Sequence, residues 1–427
     1  MPAKSKKKLS DRLRKKYRYV DRELILLLLT IFQTISAIPV IFEGGGFYTE
    51  NALLFFLYIA FEWIYVFIMH KAFKKINFEL EFIAFFLCGV GMTLSASVVK
   101  SSQKKQLIAI FIGIIVYDIL LWFLKDVKRV MALRFPVAIA SLAFLAGSFV
   151  FIRFTTGEIN GSFNWLVIGN GAFSIQPSEF VKIAFIFVGA ASLDKLLTSK
   201  NIYLYIAFAM GCIGILFLMR DFGTALIFFA TFIIIAFMRS GDIRSILFIC
   251  AAALIGAALI IYFKPYVAAR FAAYRHVWDD FDGKGYQQTR VLIYAVSGGL
   301  QGLGVGNGML RYVFAATTDL IFGMICEEFG LITAIAIVLT YAVIAVYTVK
   351  IARSAPSTFY SIAGCSAAAM LLFQTALNIF GITDILPLTG VTLPFVSQGG
   401  SSMICCWALF AFIKAADIRS YPKEFKV

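Results

Sequence analysis

Apolar residues in this chain fall in long runs separated by short polar segments. The runs lie at roughly 24–42, 51–69, 79–99, 106–124, 135–152, 178–194, 202–219, 222–238, 245–263, 318–349, 357–380 and 395–414. A helix needs about 20 apolar residues to cross the hydrocarbon core, so the pattern predicts about 12 spans. The expected fold class is all-α, a polytopic transmembrane helical bundle with a large extracytoplasmic loop. The run at 318–349 is too long for one straight crossing. It is expected to begin as a helix outside the bilayer, with Glu327 and Glu328 near the interface, because charge any deeper is costly.

Basic residues orient the bundle. Lys4, Lys6, Lys7, Lys8, Arg12, Arg14, Lys15, Lys16, Arg18 and Arg22 precede the first span, which places that end in the cytoplasm. Alternate loops then carry Lys71, Lys74 and Lys75; Lys125, Lys128, Arg129 and Arg134; and Lys195 and Lys200. Both termini are expected to be cytoplasmic in a cell-membrane protein. One loop disagrees, since Lys100, Lys104 and Lys105 fall outside. Two outside segments are too long to be connectors, Arg153 to Gln176 and Lys264 to Thr317, and long ordered loops usually carry function. The chain thus divides into a basic tail (1–23), N-terminal helices (24–152) and a core (153–427) that holds the loop 264–317.

Of 427 residues, 61% are hydrophobic and 15% charged, against about a quarter charged in soluble domains. The net charge of +15 invites a nucleic-acid reading. Position excludes it, because the basic residues sit at membrane-loop positions and not on one folded face. No cleavage site follows the first apolar run, which reads as a retained helix. The seven cysteines lie in or beside apolar runs without metal-ligand spacing and read as small buried hydrophobes.

Candidate chemistry lies in the long loop. Asp279, Asp280 and Asp282 fall within four positions, beside Gly283 and Gly285. Such a cluster is a solvated acidic turn or a working site. A carboxylate there can take a proton from an attacking hydroxyl or hold a divalent ion, magnesium or manganese, against a pyrophosphate. His276 is a rival base. The glycines from Gly298 to Gly308 match no phosphate loop and read as flexible backbone near the membrane surface. Glu179 and Lys182, three apart at the start of the sixth span, share a helix face. They form a structural ion pair or a substrate site. Asp221, beside Arg220, is a helix cap or lines a cavity.

Six ordered motifs resemble those of the SEDS proteins (shape, elongation, division, sporulation), a family that includes RodA, FtsW and SpoVE. Gly161 to Leu166 is similar to G-S-x-R-W-I, with Asn164 for Arg. Gln176 to Lys182 matches Q-P-S-E-x-x-K. Asp221 to Thr224 resembles P-D-L-G-T, with Arg220 for Pro. Asp280 to Gln287 resembles D-P-x-G-x-G-Y-Q, with Phe281 for Pro. Thr318 to Phe322 and Glu327 to Gly330 resemble H-T-D-F-I-F and E-E-L-G. Leu393 to Ser402 resembles L-P-F-x-S-Y-G-G-S-S, with Gln398 for Tyr. Phe314-Ala315-Ala316-Thr317 stands where the family has P-E-x-H. Five spans precede the first motif where the family has three, and two extra spans preserve orientation.

The resemblance implies a glycosyltransferase that polymerises lipid II, releases undecaprenyl pyrophosphate and works beside a class B penicillin-binding protein among membrane lipids. It places the catalytic carboxylate at Asp280, expected to be partly shielded from water. Lys182, Arg270 and Arg220 would offset pyrophosphate charge. Ser397, Ser401 and Ser402 would donate hydrogen bonds, and Glu179 and Asp319 would orient the cations. Inversion at the sugar is expected from direct attack. A lipid-linked oligosaccharide flippase and an inactive scaffold for a transpeptidase stay open as alternatives.

Overall fold

The computed structural model describes residues 21–420, apart from 43–45, 74–76, 99, 160, 169–172, 194–198, 245–246, 248, 252–253, 255–273 and 284. The basic tail, most of the ninth predicted run, Arg270 and Lys284 therefore lie outside the described residues. The other predicted runs fold as helices: α1 (Arg22–Ile41), α2 (Thr49–Phe73), α3 (Glu79–Val98), α4 (Lys100–Leu124), α5 (Val127–Phe154), α6 (Pro177–Leu193), α7 (Ser199–Leu218), α8 (Phe222–Ser240), α12 (Thr358–Ile382) and α13 (Gly400–Ala416), with 318–349 split as described below. In the long loop lies α9 (Tyr286–Ser297). Among the described residues, seven helices are long and apolar enough to cross a membrane, and shorter apolar helices accompany them. Asp21, Asp126 and Asp221 cap α1, α5 and α8 by accepting backbone N–H groups of the first turn, which relieves donors that helices leave open.

Helix α13 is the axis of the bundle. It packs on α4, α12 and α6, and α12 packs in turn on α6, α8 and α11. Trp407 of α13 is fully buried and meets Phe85, Tyr117 and Phe395 edge-on or tilted. The hairpin α1–α2 joins this core through α3. Gln33 Nε2 donates to Glu62 Oε1 across the hairpin at 2.9 Å, and Tyr58 donates to Phe85 O at 2.9 Å.

The fold is not purely helical. Leu166–Ile168 (β1) and Phe173–Ile175 (β2) pair antiparallel, Leu166 opposite Ile175. The aliphatic and aromatic composition suits strands, but three residues are too short to show a period. All seven cysteines are free, and Cys88, Cys212, Cys326, Cys405 and Cys406 are buried.

The long run at 318–349 is broken near its start, in line with its excess length. It holds α10 (Ile321–Met324), a π-helical turn (Ile325–Phe329) and α11 (Gly330–Ala352). Glu327 and Glu328 lie in the π-helical turn. They are buried and spent on the glycine-rich segment. Glu327 accepts the N–H groups of Met309 (2.7 Å) and Leu310 (2.9 Å), and Glu328 accepts that of Gly306 (3.0 Å). Burying a carboxylate is tolerated only with such partners. The glycine segment is therefore packed backbone, not a flexible one. Gly302, at φ +85°, shows why glycine is needed: a Cβ there would lie 2.3 Å from Glu328 O.

Glu327→Ala strands two backbone donors, each costing about 1–3 kcal/mol when buried. We expect a clear drop in melting temperature in detergent, larger than for Glu328→Ala. Equal melting curves for wild type and Glu327→Ala would contradict this anchoring.

Candidate active site

A polar ladder on α12 organises the site. Gln374, Asn378 and Gly381 lie on one face of the helix, four and then three residues apart. Gln374 Oε1 accepts from Lys182 Nζ at 2.9 Å, while its Nε2 donates to Thr392 O and Oγ1, each at 3.0 Å. Thr392 Oγ1 lies 2.7 Å from Ser402 Oγ. Asn378 Nδ2 donates to Asp319 O (2.8 Å) and Val391 O (2.7 Å). Gly381 O accepts Gln288 Nε2 at 2.6 Å. One helix face thus ties α6, the segment before α13, the Asp319 turn and the long loop together. Sequence reading missed Gln374, Asn378, Thr392 and Gln288. The signal available was two amides four apart inside an apolar run.

Glu179 and Lys182 meet as their spacing predicts, with Nζ 2.8 Å from Oε1. The ammonium is fully buried, closed to any substrate in this conformation. Its two described bonds go to Glu179 and Gln374, and Gln374 links it to Thr392.

Three more motifs converge beside this pair. Asn164 Nδ2 donates to Ser178 Oγ at 2.7 Å and to Asp221 Oδ2. Gln176 Nε2 also reaches Asp221 Oδ2 at 3.3 Å, and the Gln176 N–H donates to Ser401 Oγ at 3.3 Å. Asp221 is both helix cap and hub, since its Oδ1 accepts the Thr224 N–H at 3.1 Å. Arg220 turns away to Glu158 at 2.7 Å and lies over the Phe163 ring.

Asp280 rides on the segment 274–288, which docks on the end of α12. Tyr274 donates to Ile385 O at 2.8 Å, and Gln288 reaches Asp384 Oδ1 at 3.2 Å. The Gln288 contact at Gly381 lies about 10 Å along the helix from Gln374. The Asp280 carboxyl is exposed, not shielded as expected, because the segment lies on the surface of the fold. It folds over Gly283, where a Cβ would lie 2.2 Å from Asp280 Oδ1. His276 pairs with Asp279 at 3.0 Å, and Asp282 faces Arg290 at 3.5 Å. Arg290, not foreseen from sequence, lies over the rings of Phe281 (4.4 Å) and Tyr286 (5.2 Å). Asp279 and Asp282 thus face different partners. Among the described residues no group of three or more His, Cys, Asp or Glu side chains converges.

Asp319 and the serines sit between ladder and loop. Ser397 donates to Thr318 O at 2.5 Å and accepts the Leu393 N–H at 2.8 Å, so its hydroxyl is engaged within the fold. Burial pushes the Asp319 carboxyl up to about 6, against a smaller lowering by the Thr318 hydroxyl.

The profile of the FtsW, RodA and SpoVE proteins, described as cell cycle protein, matches residues 75–421. The chain belongs to this family. The match begins just after α2, so α1 and α2 precede the SEDS segment, which reaches well upstream of Gly161. Stage V sporulation protein E of Bacillus subtilis (strain 168) is 34% identical over 253 residues, 57% of this chain and 68% of that protein. The peptidoglycan glycosyltransferase RodA of Mycobacterium tuberculosis (strain H37Rv) is 27% identical over 328 residues, 73% of this chain and 69% of that protein. A solved chain from work on the structural coordination of polymerization and crosslinking by a peptidoglycan synthase complex shares the fold. Its TM-score is 0.66 at 24% identity, covering 79% of this chain and 96% of that one.

Asp319 makes the fold pH-sensitive. Its folded carboxyl titrates at about 6, above the ordinary value of about 3.9, so the folded state binds the proton more tightly. Stability from this group therefore falls as pH rises from about 4 to about 6 and is flat above. Asp319→Asn should remove that part of the slope in melting temperatures measured across this window. An unchanged slope would assign it elsewhere.

Proposed function

We propose that the protein is a peptidoglycan glycosyltransferase of the SEDS family that polymerises lipid II at the outer face of the cytoplasmic membrane. The observation that carries this reading is the position of Asp280. Its solvent-exposed carboxyl stands on a loop docked to a polar ladder inside an apolar bundle, near aromatic and arginine side chains. That is the arrangement a lipid-linked saccharide requires, with a tail in the bilayer and a polar head at the surface. The name of the mycobacterial relative supports the reaction class, and the peptidoglycan synthase complex supports a transpeptidase partner, a class B penicillin-binding protein.

In this reading the acceptor hydroxyl attacks the anomeric carbon of the donor. The new C–O bond forms as the bond to pyrophosphate breaks, and its electron pair leaves with undecaprenyl pyrophosphate. Asp280 takes the hydroxyl proton. Direct attack inverts the sugar. Arg290 and Arg220 offset charge on the leaving group, with Arg270 as the further cation implied by the family. Lys182 and Glu179 hold Gln374, and through it Thr392 and Ser402, in place. Ser401 fixes the Gln176 turn. The bundle has about 12 spans, with both termini in the cytoplasm and the 264–317 loop outside.

Purified protein incubated with lipid II, alone and with its transpeptidase, should yield glycan strands. Asp280→Ala and Asp280→Asn should abolish them while membrane insertion stays intact, and Asp279→Ala and Asp282→Ala should do less. Strand synthesis by the Asp280 variants would remove the assignment. Lipid II translocation without strand synthesis by wild type would favour a flippase. Labelling of a cysteine at position 284 only from the cytoplasmic side would reverse the orientation.

A further inference from the structure

We infer that Thr317 and Gln398 form a specificity-determining pair, in which Gln398 Nε2 donates to a neutral oxygen of the lipid-linked saccharide. This rests on the polymerase reading above. Two of the departures from the family motifs meet here. Thr317 stands where the family pattern has His, and Gln398 where it has Tyr. Thr317 Oγ1 donates to Gln398 Oε1 at 2.9 Å, and the Gln398 N–H donates to Thr317 O at 2.8 Å. Two rings are thus replaced by two side chains that bond to each other.

The geometry selects which end of the amide is free. Thr317 occupies Oε1, which leaves the Nε2 hydrogens as donors. Among the described residues no protein acceptor takes them. Both side chains are half-buried, so the amide is fixed from within and open from without. The backbone on either side is held as well, because Ser397 bonds Thr318 O and Leu393 N.

Charge decides the class of ligand atom. The cations of the Asp280 segment are engaged there, Arg290 with Asp282 and the rings of Phe281 and Tyr286, and Arg275 through its N–H to Asp384. The described hydrogen bonds of Gln398 go to Thr317 and none goes to an arginine or lysine, while the next residue, Gly399, lies beside Ser402 and Thr392. An anionic pyrophosphate would choose the arginines. An uncharged amide donor suits a hydroxyl or an acetamido carbonyl of an amino sugar. Loss of the two rings also leaves more room beside that sugar. Gln398 is thus a contact for the sugar, and Thr317 is a positioning residue that acts through it.

The test measures three quantities on the purified full-length protein: affinity for fluorescent lipid II, strand synthesis and melting temperature. Gln398→Met keeps length but removes the amide, and it leaves the Thr317 hydroxyl without its acceptor. Affinity should fall about tenfold, the loss expected for one hydrogen bond. Thr317→Val should weaken binding about threefold, by freeing the amide. Thr317→Ser should restore wild-type binding. In the double variant Thr317→Val, Gln398→Met, the melting temperature should recover while affinity stays as low as in Gln398→Met, since contacting residues are not additive. Wild-type affinity in the double variant, or effects that simply multiply, would overturn the pair. Should Gln398→Met fail to fold, Gln398→Asn carries the test: a stable variant with weakened affinity supports the proposal, and one with wild-type affinity overturns it. A wild type that binds lipid II but makes no strands contradicts the polymerase reading, and the affinities of the variants then decide for or against the pair. A wild type that does not bind lipid II overturns both.

Discussion

An ammonium group inside an apolar bundle must be paired, and the way Lys182 is paired shapes the site. Leaving such a charge without a partner costs about 3–5 kcal/mol, so evolution can place it only where acceptors converge. Here Glu179 comes from the same helix turn and Gln374 from α12. Gln374 has one acceptor and one donor end. Once Lys182 takes the acceptor, the donor end faces Thr392, which in turn meets Ser402. A buried charge thereby sets the orientation of hydroxyls it never touches.

The same logic holds the irregular segments. A loop that crosses the end of a bundle carries open N–H and C=O groups, and each must find a partner. Glu327 and Glu328 supply them to the glycine-rich segment, Asn378 to the Asp319 turn, and Gln288 to the end of α12. The opposite end of the bundle is pinned by a second network. Lys414 pairs with Glu81 at 2.9 Å, Tyr117 donates to Glu81 at 2.7 Å, and Arg419 bridges Asp417 and Glu79. Both ends of α13 are therefore tied into polar networks, and the candidate site rests on that axis.

Much of this was legible in the sequence, for physical reasons. Apolar runs of spanning length have few alternatives to helices, so α1 to α8 and α11 to α13 could be read directly. The pairing of Glu179 with Lys182 followed from helix spacing, and the joining of Asn164, Gln176 and Asp221 lay in the motifs. What was not legible depends on long-range contacts. The acceptor role of Glu327 and Glu328 needs a segment some twenty residues upstream and so left no local signal. Gln374 and Asn378 were absorbed into an apolar run, although their four-residue spacing was visible. The hairpin of β1 and β2 is too short for any periodic signal. Asp280 was expected to be shielded, yet its segment docks through Tyr274 and Gln288 and leaves the carboxyl open.

The central claim is that the Glu179–Lys182 pair serves the surface through Gln374, beyond its role in folding. Replacing Lys182 by Met and Glu179 by Leu together removes both charges, so the fold has no orphaned ion. Melting temperature and lipid II polymerisation measured on this double variant separate the two roles. The account predicts a melting temperature near wild type, well above that of Lys182→Met alone, with strand synthesis reduced by at least about tenfold. A double variant that is both stable and fully active would contradict it.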